Sequence, residues 1–202
     1  MRSSFCGPLR HLQKETGWLL LEFMQSANKF PVDRHGQLAC EMVVIRMHDA
    51  WARFCREIVI TSAIGNTVTI SGLPVSRCHV TVTDHGSAVA YLLSTYKKRR
   101  YEPKWGDVQE CIDAASRFRV TNLSTLSAGL GATNSPAEEI RHARNYYAHR
   151  KGGSALKAMA TNLFTGKYFP EVRDLNRFTS GGSTVIESWV QRLTSVATAS
   201  IQ

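Results

Sequence analysis

The chain has 202 residues, about one domain's length, and carries 25 Lys and Arg against 16 Asp and Glu, a formal charge of +9. Its 43% hydrophobic and 20% charged content is that of an ordinary globular chain and excludes a disordered tail. No apolar run nears the roughly 20 residues of a membrane helix, and the excess of Lys and Arg suits a polyanionic partner, because phosphates attract such groups through counterion release.

Leu9 to Asn28 reads as a helix, with Leu12, Leu19, Leu20, Phe23 and Met24 on one broad apolar face. Lys29-Phe30-Pro31 and Gly36 break it, and a longer helix is expected from Gln37 to Ser62. There Val44, His48, Trp51, Cys55, Ile58 and Val59 recur at helical spacing. Residues 64–84 change period: Thr67–Ile70 and Val80–Thr83 alternate and are β-branched, so a small extended or β-hairpin insertion is expected. Ser87 to Tyr101 returns to helix and ends in the basic run Lys97-Lys98-Arg99-Arg100. Asp107 to Phe118 reads as helix. Val120 to Thr133, rich in Ser, Thr, Asn and Gly, reads as a loop with one short turn near Leu123–Leu126. Ser135-Pro136-Ala137-Glu138 reads as a capping box opening a helix to Lys151, where Gly152-Gly153 would stop it. Ser154 to Phe164 reads as helix, Gly166 to Gly182 as irregular, and Thr184-Val185-Ile186-Glu187 as a second capping box that opens the last helix. The expected fold is therefore mainly α: an up-and-down bundle in one domain, with residues 1–35 as an N-terminal helical extension.

The five cysteines, Cys6, Cys40, Cys55, Cys78 and Cys111, form no C-x-x-C pair, which suits reduced thiols and no zinc or redox motif. No secretory signal pattern opens the sequence, so a cytoplasmic location is expected. His11, His35, His48, His79 and His85 share no ligand spacing, so neither a metal nor a cofactor is expected. Ser124 and Ser127 belong to no recognisable Ser-His-Asp arrangement.

Chemistry concentrates in Glu138–Lys151, which holds three Arg, two His, two Tyr and an Asn within eleven positions. Asn145 and His149 are four apart and share a face, and Arg141 extends that stripe one turn back. Arg144 and His149 lie about 140° apart at roughly 100° per residue, so they flank a site. Cutting RNA without metal requires a base for the ribose 2′-OH, an acid for the leaving 5′-oxygen, and donors for the phosphorane. A His near pKa 6.5 serves as acid or base, an Arg supplies fixed bidentate donors, and an Asn orients either one. One His is a thin acid–base system, and a two-fold dimer would double it.

At Arg144-Asn145-Tyr146-Tyr147-Ala148-His149 the sequence resembles the R-x(4–6)-H motif of HEPN domains, in the R-N-x-x-x-H form. No other Arg here has a His at that spacing. The early helix with Asp49 and Trp51, and the motif's place in a late helix, fit the element order of bacterial HEPN proteins, stand-alone RiboL-PSP-like members included. The resemblance spans roughly Leu38 to Ile201. It implies an all-α bundle, a homodimer, and a metal-independent endoribonuclease site at the dimer interface, in a toxin or a phage-defence effector. Carried over, Arg144 and His149 are the catalytic pair and Asn145 the polar residue beside the Arg. Members silenced by AMPylation carry a Tyr two positions after the motif His; here that position is Lys151.

The expected activity is thus endoribonuclease cleavage of tRNA or mRNA by 2′-OH attack, leaving 2′,3′-cyclic phosphate and 5′-OH ends. Arg141, His142, Tyr146, Tyr147, Arg150 and Lys151 are candidate RNA contacts, with one of the adjacent tyrosines in the core and the other at the surface. An antitoxin or regulatory protein is a further candidate partner. The rival expectation is a non-catalytic module of the same type that binds nucleic acid or a protein. A DNA-binding protein is weaker still, since no helix-turn-helix spacing or zinc finger is present.

Overall fold

The structure is a computed structural model that describes residues 3–27, 34–77, 80–96, 101–161, 163–164, 171–179 and 181–202. Cys78, His79, the basic run Lys97–Arg100 and Asn28 lie outside these. The fold is mainly α. In chain order the elements are β1 (Ser3–Ser4), α1 (Cys6–Ala27), α2 (Arg34–Ile64), β2 (Thr67–Val68), β3 (Pro74–Val75), α3 (His85–Thr95), α4 (Val108–Phe118), α5 (Leu123–Leu130), α6 (Ala137–His149), α7 (Gly152–Met159), α8 (Val172–Leu175) and α9 (Val185–Ala199). No helix among the described residues is long and apolar enough to cross a membrane. Two compact units emerge. One comprises Met1–Leu12, Trp51–Ser135 and Thr194–Gln202; the other comprises Gln13–Ala50 and Pro136–Leu193.

The first unit holds the sheet. Thr67–Val68 pairs in parallel with Ser3–Ser4 and antiparallel with Pro74–Val75, in the register Ser3↔Thr67 and Thr67↔Val75. The expected second strand at Val80–Thr83 does not form. Strand geometry would put Val80 and Val82 on one face, yet Val80 is exposed and Val82 fully buried. Thr83 and Asp84 instead cap α3: the Asp84 carboxylate accepts the Ser87 N–H at 2.8 Å, and Ser87 Oγ accepts the Asp84 N–H at 3.0 Å. The chain turns back earlier, at Gly72 with φ +84°, which lets Thr69 N–H reach the Leu73 carbonyl.

The same unit buries Trp51, Phe54, Cys55, Ile58, Phe118 and Leu126. Asp107 caps α4 by accepting from the Gln109 and Glu110 amides. The loop expected after Val120 is in large part helix α5. Its Leu126 and Leu130, four apart, are fully buried, and a Cβ on Gly129 would stand 2.4 Å from Ser200 Cα, so only glycine permits that approach. Asn122 secures the entry to α5 through its Nδ2 on Ser62 Oγ at 3.2 Å.

The second unit packs parts of α1, α2 and α9 with α6, α7 and α8, burying Leu19, Phe23, Val43, Val44, Met47, Ile140, Ala143 and Trp189. Two side chains of α9 pin α6: Trp189 Nε1 donates to Glu139 at 2.7 Å, and Arg192 grips both oxygens of the same carboxylate at 2.9 and 3.2 Å. The capping box at Thr184–Glu187 forms as expected, with Thr184 N–H donating to the Glu187 carboxylate at 2.7 Å and Glu187 N–H to Thr184 Oγ1 at 3.3 Å.

The ends of α6 differ from expectation. Pro136 holds the N-cap position, and the Glu138 carboxylate contacts Arg141 and His142. The helix ends at His149, before the glycines, because Arg150 turns left-handed at φ +52°. Gly152-Gly153 then open α7 instead of stopping α6, and that helix closes at Met159, short of Phe164.

Candidate active site on helix α6

Helix α6 presents the motif on an element fixed from several sides within its unit. Ile140 and Ala143 are buried. Arg144 is half-buried, and its Nε–H is buried with no hydrogen-bond partner. Its Nη1 donates to Asn145 Oδ1 at 3.3 Å, so the Asn steadies the guanidinium. A desolvated donor without a partner is costly to fold, and such groups call for an explanation.

A histidine of α2 stands near enough to feel the charge of this arginine. His48 is mostly buried, and its Nδ1 lies 3.4 Å from the exposed carboxylate of Asp49. Burial holds the His48 pKa below the usual imidazole value, and the nearby charges of Arg144 and Arg141 push it the same way against the pull of Asp49. His48, Arg141, Arg144 and Asn145 therefore form one basic group. His149, at the last position of α6, is exposed. The 140° offset between Arg144 and His149 puts the acid–base candidate at the rim and the phosphate donor inward.

His142 belongs to a different cluster. Its Nε2 lies 3.1 Å from Glu138, which Arg141 also contacts at 2.6 Å. Burial and then the Arg141 charge lower the His142 pKa despite that carboxylate, and Arg141 and His142 together hold the Glu138 carboxyl below its ordinary value.

Tyr146 and Tyr147 overturn the expectation of one ring inside and one outside. Both are 6% exposed, with ring centroids 5.6 Å apart. The Arg150 guanidinium covers them at 5.2 and 5.7 Å, so neither ring offers an open face for a base. Burial, and then the Glu41 charge, raise the Tyr147 pKa well above the usual phenol value, and its hydroxyl has no hydrogen-bond partner. Arg150 is likewise committed inside the chain: it pairs with the buried carboxylate of Glu41 on α2, whose other oxygen accepts from Gln37 Nε2 at 3.0 Å. Lys151 stays exposed. Trp51 is wholly core.

Sequence reasoning missed Glu41 and His48. The signal was present: residues 41, 44, 48, 51 and 55 form one helical stripe, and a carboxylate and an imidazole interrupt it among Val44, Trp51 and Cys55. Among the described residues no three His, Cys, Asp or Glu side chains gather as metal ligands. The chain matches no protein-family model, no curated protein and no solved structure.

Proposed function

We propose that this chain is a metal-independent endoribonuclease of the HEPN type, acting in the cytoplasm as a homodimer and serving as a toxin or phage-defence effector. The observation that carries the reading is the R-N-x-x-x-H element on α6, where Asn145 steadies the half-buried Arg144 guanidinium while His149 stands exposed about one and a half turns on.

In the proposed reaction the ribose 2′-oxygen attacks the adjacent phosphorus. The P–O2′ bond forms and the P–O5′ bond breaks. A base takes the 2′-OH proton and an acid returns one to the 5′-oxygen, leaving a 2′,3′-cyclic phosphate and a 5′-OH. His149 fills one acid–base role, and the two-fold partner's copy of the same residue supplies the other. Arg144 stabilises the charge that builds on the phosphorane, and Arg141 and Lys151 draw in the RNA backbone.

The test is cleavage of total tRNA and of mRNA in excess EDTA, with mapping of the ends, beside Arg144→Ala and His149→Ala proteins. EDTA-resistant cuts that vanish in both variants support the reading. Cutting that survives either substitution overturns it. RNA binding without cutting, from a protein whose expression does not arrest growth, would favour the non-catalytic module.

A further inference from the structure

We propose that the buried Glu41 of α2 and the left-handed Arg150 form a clamp that fixes the last turn of α6 and so positions His149. This rests on the ribonuclease reading above and adds to it two positioning residues that lie outside the motif.

Three observations converge on Arg150. First, its backbone lies in the left-handed region at φ +52°, where glycine is the unstrained choice. A chain that places Gly152 and Gly153 two and three positions later keeps an arginine at this strained position. Second, the side chain does what a glycine cannot: it pairs with Glu41, a carboxylate almost wholly buried, and covers both Tyr146 and Tyr147. A buried carboxylate persists only when paired, so Glu41 needs this arginine. Third, the Arg150 N–H donates to the Tyr146 carbonyl at 2.7 Å. That hydrogen bond closes the last turn around His149. The strain, the ion pair and the cap therefore all act on the residue next to the proposed acid–base group, and strained backbone of this kind gathers at functional sites.

The clamp separates from a mere helix stop in one comparison. Arg150→Gly keeps the left-handed turn and removes the guanidinium. Glu41→Gln keeps the side-chain shape and removes the charge. With the full-length protein and tRNA as substrate, both are expected to lower kcat about 10- to 100-fold, the range that a small misplacement of a catalytic group costs. KM should stay within about twofold, since neither residue contacts RNA in this proposal. Amide exchange at Tyr147–Arg150 should quicken, and the His149 ring resonances should shift. Glu41→Asp should recover part of kcat.

Unchanged kcat in Arg150→Gly, or a rise in KM that accounts for the whole loss, overturns the clamp. If the wild-type protein cuts no RNA, the ribonuclease reading falls and the clamp is judged by exchange and by the His149 resonances. Their movement in both variants upholds it, and their constancy overturns it. Should Arg150→Gly fail to fold because it strands the buried Glu41 carboxylate, Arg150→Gly in a Glu41→Gln background removes that charge and gives the same readings.

Discussion

Arg144 combines two properties that a surface arginine lacks: a buried Nε–H without a partner, and an Asn on the next residue that holds Nη1. In the proposed reaction a planar fork would meet two phosphate oxygens at once, whereas a lysine offers a single hydrated charge on a flexible stem. Arg144→Lys should therefore behave as a deletion and not as a conservative change. We expect kcat for RNA cleavage to drop by at least about 100-fold, the scale reported for loss of one oxyanion donor, with an unaltered circular dichroism spectrum. Activity within twofold of wild type would show that charge alone suffices and that the fork is not used.

The residue scale also marks how far the sequence could be read. The motif was legible because its residue types are rare together on one helix. Its partners were not. Glu41 meets Arg150 across 109 positions, and His48 sits in a stripe whose other members read as core. Nothing local links either residue to α6. The tyrosines mislead for a related reason: adjacent positions on a helix normally diverge by about 100°, but here both rings are buried and the Arg150 guanidinium lies over each.

At the scale of elements, local chemistry decided which predictions succeeded. The Thr184–Glu187 box was read correctly because both of its hydrogen bonds lie within four residues. At Ser135–Glu138 the Glu138 carboxylate pairs with Arg141 and His142, and Glu139 ties the first turn of α6 to α9. Residues 120–133 read as a loop from sequence because Ser, Thr, Asn and Gly are frequent there. The formation of α5 follows from two buried leucines and from the close contact that Gly129 allows, and neither is visible in propensity. The insertion at residues 64–84 was placed correctly, but its second strand was not, since turn position set the pairing and β-branched composition did not. A consequence can be checked. Thr184→Ala removes both the acceptor for the Glu187 amide and the hydroxyl that bonds its carboxylate. It should cost about 1 kcal/mol, measured by denaturant unfolding with an unchanged m-value.

At the scale of the whole molecule, the lowered imidazole pKa values set how stability responds to acid. His48 and His142 both titrate below the ordinary value in the folded chain, chiefly because they are buried and then because arginines stand near them. In the unfolded chain each binds its proton near pH 6.5. Below that pH the unfolded state holds more protons than the folded one, so stability falls as the medium is acidified, and above it the two states hold the same number. The carboxylates respond in a lower window. Glu102, held down by its hydrogen bond to Arg56, Glu138 by Arg141, and Glu187 by the Thr184 amide, all lose a proton more readily when folded. Their contribution persists above the unfolded carboxylate value, about 4.3, and disappears below it. A plot of thermal midpoint against pH should therefore be flat from pH 8 to about 7, decline below about 6.5, and steepen again below about 4.3. The double variant His48→Gln, His142→Gln should remove the first decline and keep the second. A wild-type midpoint as high at pH 5.5 as at pH 7.5 would contradict the burial of a neutral His48 beside Arg144.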